Sequence, residues 1–233
     1  MEWLQITFQM YRKVFPRAAA LAVKNWPVLG TLFGYLVILS VAATLARFMG
    51  FAGGLVVSLV WAACAGSFLY LVEMIVRTSR VSLDDVRRSF GAYLWDVVGV
   101  SFVFWVFFTL VTPAILQLPN GGLILLCIDI AIFVLGNAVP ELIYLGHHSA
   151  LALLTESYGF IAANWLEWFP ANVVAAGILY AVSSLPSDGL IGIVQHALTA
   201  LLVYFAMVMR GLLFLELYGT THRSRRFKYR AQF

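Results

Sequence analysis

The chain has 233 residues, 62% of them hydrophobic and 11% charged, with a formal net charge of +4. Soluble domains carry about 25% charged residues, and a soluble chain this apolar would lack the polar surface to stay dissolved. The positive excess is no pointer to nucleic acid, because the basic residues stand beside the ends of apolar runs, where membrane topology places them.

Residues 2–14 read as an amphipathic helix. Leu4, Phe8, Tyr11 and Phe15 follow helical spacing with Trp3, Met10 and Val14 beside them, and Gln5, Gln9, Arg12 and Lys13 form the wet face. Aromatic and basic residues on opposite faces suit the headgroup boundary of a membrane; packing against the protein's own cytoplasmic loops is the alternative. Pro16 is expected to break or bend the segment, so residues 1–24 make an interfacial element. No compact apolar core with a small-residue cleavage site occurs here, and the first span is expected to act as an uncleaved insertion signal.

The first span is read at 27–45, with Pro27 in its first turn and Trp26 at the water boundary. The second is read at 55–76. Ala62 and Gly66, in a run of small residues, leave a flank that a neighbouring backbone can approach, and Glu73 and Arg77, four apart, can pair along one face. In the polar loop that follows, Ser82 and Asp85 resemble a capping box, and Leu83, Val86 and Phe90 make an apolar face. The third span, 94–116, has Asp96 near its entry and Pro113 as an expected kink. Leu118-Pro119-Asn120-Gly121 turns it into the fourth, 121–144. That span carries Asp129, Asn137 and a Pro140-Glu141 pair. A carboxylate at mid-membrane costs about 2.5–3.5 kcal/mol, so Asp129 is expected to face protein.

His147-His148 and a less hydrophobic helix to 164 come next. Trp165 and Trp168 bracket the entry to a short fifth span, 169–184, with Ala171, Ala175 and Gly177 as small packing residues. Pro186-Ser187-Asp188-Gly189 turns the chain into the sixth span, 190–218, which is longer than a bilayer needs and should tilt or project. A basic tail, 220–233, ends the chain. Arg12, Lys13, Arg17, Lys24, Arg77, Arg80, Arg87, Arg88 and the tail's basic residues fall on one side of the membrane, and Arg47 alone on the other. Both termini are therefore expected in the cytoplasm. The expectation is an all-α polytopic membrane protein of about six transmembrane helices, paired as hairpins 27–76, 92–145 and 166–219.

The hairpins resemble one another. Lys24-Asn25-Trp26 is matched by Ala163-Asn164-Trp165, Ser89-Phe90-Gly91 by Ser157-Tyr158-Gly159, and the even spans carry Glu73, Glu141 and Glu216 near their cytoplasmic exits. Parallel duplication would produce this, as would the general grammar of membrane hairpins. In these approach segments and Asn-Trp entry points the chain resembles the repeated-hairpin bacterial membrane proteins related to the membrane domain of glycerophosphodiester phosphodiesterases. The resemblance implies this fold in a bacterial inner membrane; the chain has no soluble phosphodiesterase domain.

Little points to catalysis. Cys64 and Cys127 lie in apolar spans as packing residues. His147 and His148 project about 100° apart on a helix, a poor metal pair, and no nucleophile arrangement or phosphate-cradling loop occurs. No cofactor, metal or enzyme activity is expected. The polar residues in or near the membrane are Glu73, Asp96, Asp129, Asn137, Glu141, Arg210 and Glu216, with Gln195 and His196. Most read as ion pairs pinning helices together, with Arg210 a natural partner for Glu141 or Asp96. Two functions fit. One is a non-catalytic subunit of an envelope or lipid-handling assembly, whose partners are the bilayer and other membrane subunits or further copies of itself. The other is a small transporter using Asp129, Glu141 and Arg210, although Asp129 stands roughly 120° from Glu141 around an ideal helix.

Overall fold

The computed structural model describes residues 2–146, 150–186, 188–221 and 224–225, apart from the side chains of Glu2, Trp3, Phe51 and Ala150. His147, His148, Ser187 and nearly all of the basic tail lie outside these residues, as does the Trp3 side chain of the expected amphipathic face. The described residues form α1 (Glu2–Lys24), α2 (Pro27–Ala46), α3 (Phe51–Thr78), α4 (Leu83–Ser89), α5 (Leu94–Leu116), α6 (Gly121–Leu135), α7 (Val139–Glu141), a π-helical turn (Leu142–Gly146), α8 (Ala150–Ser183) and α9 (Gly189–Leu217), with no strand among them. Six segments are long and apolar enough to cross a bilayer: Pro27–Ala46, Ala52–Thr78, Leu94–Leu116, Gly121–Gly146, Leu151–Ser183 and Gly189–Leu217. The protein is an all-α, multi-pass membrane protein.

Three elements depart from expectation, each for a local reason. α1 runs through Pro16 to Lys24. Pro16 and Arg12 are both exposed, so the carbonyl that loses its donor lies on the open face, while Met10, Val14, Ala18 and Leu21 hold a buried stripe on the other. α8 is one helix of 34 residues with Pro170 inside it, joining what reads in the sequence as an approach helix and a separate span. The fourth span is interrupted: α6 stops at its cap Gly136, and the chain re-enters helix with Pro140 in the first turn of α7, where a missing N–H is tolerated. The π-helical turn then carries it on. At the hairpin between α5 and α6, Asn120 takes a left-handed φ of 62°, and a Cβ on the next residue, Gly121, would collide with the Ile115 carbonyl oxygen.

The chain forms two compact units, one of Met1–Tyr35, Leu71–Ser82 and Asn164–Phe233, the other of Leu36–Tyr70 and Leu83–Ala163. In the first, α1 runs antiparallel to the C-terminal half of α9. Tyr204 donates its hydroxyl to the carbonyls of Ala22 (3.1 Å) and Asn25 (3.0 Å), Phe15 meets Phe205 edge-on at 5.3 Å, and Lys13 reaches Glu216 at 3.2 Å. The buried stripe of α1 is thus offset from the predicted one. Met10 and Val14 are covered, whereas Leu4, Phe8 and Phe15 stay exposed.

In the second unit α5 packs on α6, and the small-residue flank of α3 is used. A Cβ on Gly66 would stand 2.9 Å from the Tyr93 carbonyl carbon, an approach only glycine permits. The predicted apolar face of α4 is open, with Leu83 89% exposed and Phe90 exposed beside it. What α4 buries is Ser89, whose hydroxyl hydrogen-bonds that of Ser67.

Candidate functional site

One face of α8 gathers the polar side chains of the first unit. Residues 164, 167, 168, 171 and 172 share that face by helical spacing. The Tyr11 hydroxyl of α1 donates to the Glu167 carbonyl at 2.6 Å and accepts the Ala171 N–H at 3.3 Å. Those two backbone groups are i and i+4 along the helix, and beside Pro170 a phenol bridges them. Burial pushes the Tyr11 hydroxyl up from 10.0 to about 12; the Ala171 N–H opposes this and the Glu167 charge adds to it.

Trp168 is wholly buried. It meets Phe214 edge-on at 6.4 Å and carries the Arg210 guanidinium 5.0 Å above its ring. Arg210 Nη1 donates to Asn172 Oδ1 at 2.8 Å, and Asn172 Nδ2 donates to the Trp168 carbonyl at 2.7 Å. Buried Asn164 accepts from Nη2 of Arg225 at 2.8 Å, and Glu167 is buried on the same face. The cluster ties α1, α8, α9 and the start of the tail together. Its polar groups bond across helices, and it is chemically a clamp.

The residues singled out in the sequence are scattered. Glu73 pairs with Arg77 at 3.0 Å, as their spacing predicts. Glu216 pairs with Lys13 of α1. Asp96 and Asn137 are half-buried, and Glu141 is wholly buried in the irregular end of the fourth span. Asp129 is exposed on the single chain, so protein facing it would have to come from outside the chain. Ile128 and Ile132 are half-buried and line an apolar groove, and the next position along a helix turns about 100° away.

A cavity of about 350 Å³ in the second unit is lined by Val103, Phe104, Phe107, Ile128, Ala131, Ile132, Leu135, Gly136, Leu154 and Tyr158. Neither Asp129 nor Glu141 reaches it. Of the small residues, Ala62 and Gly66 are buried and Ala171 and Ala175 half-buried. Gly177 is exposed with open space where a Cβ would go, so no helix of this chain packs on it. Cys64 is buried and Cys127 exposed. Trp168, read in the sequence as an interfacial residue, is core; Trp165 is exposed.

The echoed segments share environments. Asn25 and Asn164 are equally buried, and each ties down a distant stretch. Asn25 accepts from the Val81 N–H at 2.9 Å, and Asn164 holds Arg225. Ser89 and Ser157 are both fully buried, and each bonds a group 22 residues upstream, Ser67 and the Leu135 carbonyl respectively. The tryptophans that open the odd spans, Trp26, Trp95 and Trp165, are all exposed.

Sequence reasoning missed Tyr11 as a polar anchor, and Glu167, Asn172 and Arg225 entirely. The one-face spacing on α8 was the available signal. Among the described residues no group of His, Cys, Asp and Glu could hold a metal ion. Comparison with protein-family models, with curated proteins and with solved structures finds no match.

Proposed function

We propose that the chain is a non-catalytic, multi-pass subunit of a bacterial inner-membrane assembly serving the envelope or lipid handling, with both termini in the cytoplasm. The observation that supports this best is Asp129. It lies eight residues into α6, about 12 Å along the helix axis, and faces outward among exposed Leu126, Ile130 and Phe133. Hydrocarbon is an unfavourable neighbour for a carboxylate by about 2.5–3.5 kcal/mol; a hydrogen-bond donor on an adjacent subunit removes that penalty. A second copy carries one such group. His196 of α9 is exposed, and with its Nδ1 2.6 Å from the Gly192 carbonyl, Nε2 is left for a partner.

The side of the membrane follows from the basic residues that flank the even-numbered exits. The paired environments of Asn25 with Asn164 and of Ser89 with Ser157 support descent from a repeated hairpin. Extraction in mild detergent followed by mass measurement tests the proposal. The wild-type chain is expected in a complex well above its own 25.9 kDa, and Asp129→Lys is expected to release it while helicity is unchanged. A wild-type protein that runs as a single chain defeats the reading.

The interrupted fourth span, with Glu141 buried beside the break, favours a second reading as a small transporter, since broken helices frame many transport sites. On that reading Asp129→Asn abolishes flux in reconstituted vesicles with the assembly intact.

A further inference from the structure

We propose that the cleft between α1 and the last turns of α9 binds the phosphodiester of an anionic phospholipid. The cleft has a volume of about 120 Å³ and is lined by Lys13, Val14, Arg17, Leu212, Leu215 and Glu216. Its depth is set by α9. At 1.5 Å per residue that helix of 29 residues extends about 43 Å, which matches the roughly 40–45 Å of a bilayer with its headgroups. Leu212 to Glu216 form the last turn and a half, so the cleft stands at headgroup level.

Its charge fits one phosphodiester. Lys13 and Glu216 hold each other at 3.2 Å and cancel, with 47% and 16% of their side chains exposed. Arg17 is exposed, and no ion pair engages it among the described residues. One positive charge is left over, on a planar fork suited to two phosphate oxygens. The flanks suit acyl chains: Phe15 and Leu215 are both exposed beside the cleft, and on α1 the exposed aromatics and the basic residues follow the pattern of interfacial helices. A soluble organic phosphate would use the same fork but would leave those apolar flanks in water.

The site depends only on the membrane-spanning fold. An assembly that fails with Asp129→Lys leaves it untouched, so the two proposals fail separately.

Native mass spectrometry of the delipidated full chain tests it, with phosphatidylglycerol, phosphatidylcholine or glycerol 3-phosphate added. Phosphatidylglycerol is expected to be retained on the order of tenfold better than phosphatidylcholine, and Arg17→Gln should erase most of that preference. Arg17→Lys should keep part of it. Arg12→Gln, an exposed arginine outside the cleft, should change nothing. Unchanged circular dichroism establishes that the variants fold. Equal losses for Arg12→Gln and Arg17→Gln would show diffuse surface attraction and overturn the site. Equal retention of the two lipids would overturn it as well, and displacement by glycerol 3-phosphate would assign the cleft to a soluble anion.

Discussion

Tyr11 shows how a single side chain can settle a helix's position. Its phenol bonds a carbonyl and an N–H beside Pro170, and it does so from another helix. Replacing it with Phe should destabilise the protein by about 1 kcal/mol, the net worth of a typical hydrogen bond. The same residue sets an alkaline limit. Burial first, and Glu167 next, hold its hydroxyl protonated up to about 12 in the folded state, against about 10 when unfolded. The unfolded chain therefore loses that proton first, and stability falls as pH rises from about 10 to about 12. The contribution is fully present below pH 10. Thermal melts in detergent between pH 9 and pH 11.5 should show the decline, and Tyr11→Phe should flatten it.

At the scale of elements, the outcome was decided by which face of each helix found a partner. α1 has two apolar stripes, and the antiparallel α9 took the one through Met10, Val14 and Ala18. This left Leu4, Phe8 and Phe15 open, which the proposed interfacial role uses. Glycines divide in the same way. Gly66 admits the Tyr93 backbone, so Gly66→Leu must push main chain aside and is expected to lower stability by roughly 1–3 kcal/mol. Gly177 meets nothing within 4 Å, and Gly177→Leu should stay within about 0.5 kcal/mol of wild type. Denaturation of the two variants side by side checks the contrast. Equal losses would mean that Gly177 is covered in the assembly, which would itself locate a partner.

For the molecule as a whole, the proposed topology makes a direct prediction. A cysteine replacing Phe48, which is 85% exposed between α2 and α3, should be labelled by impermeant reagents applied to intact cells. Tags at the two termini should be labelled only after the membrane is opened. The reverse pattern would invert every assignment of side. The polar residues of the α8 clamp close the chain on itself, whereas the outward Asp129 is left to bond something else.

Composition and apolar run length alone determined that the chain crosses a membrane about six times, because backbone polar groups in hydrocarbon must be satisfied within helices. The Glu73–Arg77 pair and the Gly66 approach were legible too, since both rest on spacing along one element. Helical periodicity cannot say which of two apolar stripes is covered, and so α1 was placed by α9. Nor can it say that Asp129 points outward while Glu141 is enclosed. Pro16 is expected from the sequence to break or bend its segment, yet it stands inside a helix, as Pro170 does, because packing on the neighbouring face outweighed one missing hydrogen bond at each. Those decisions belong to tertiary contacts, which join residues as distant as Tyr11 and Ala171 and leave no periodic trace in the chain.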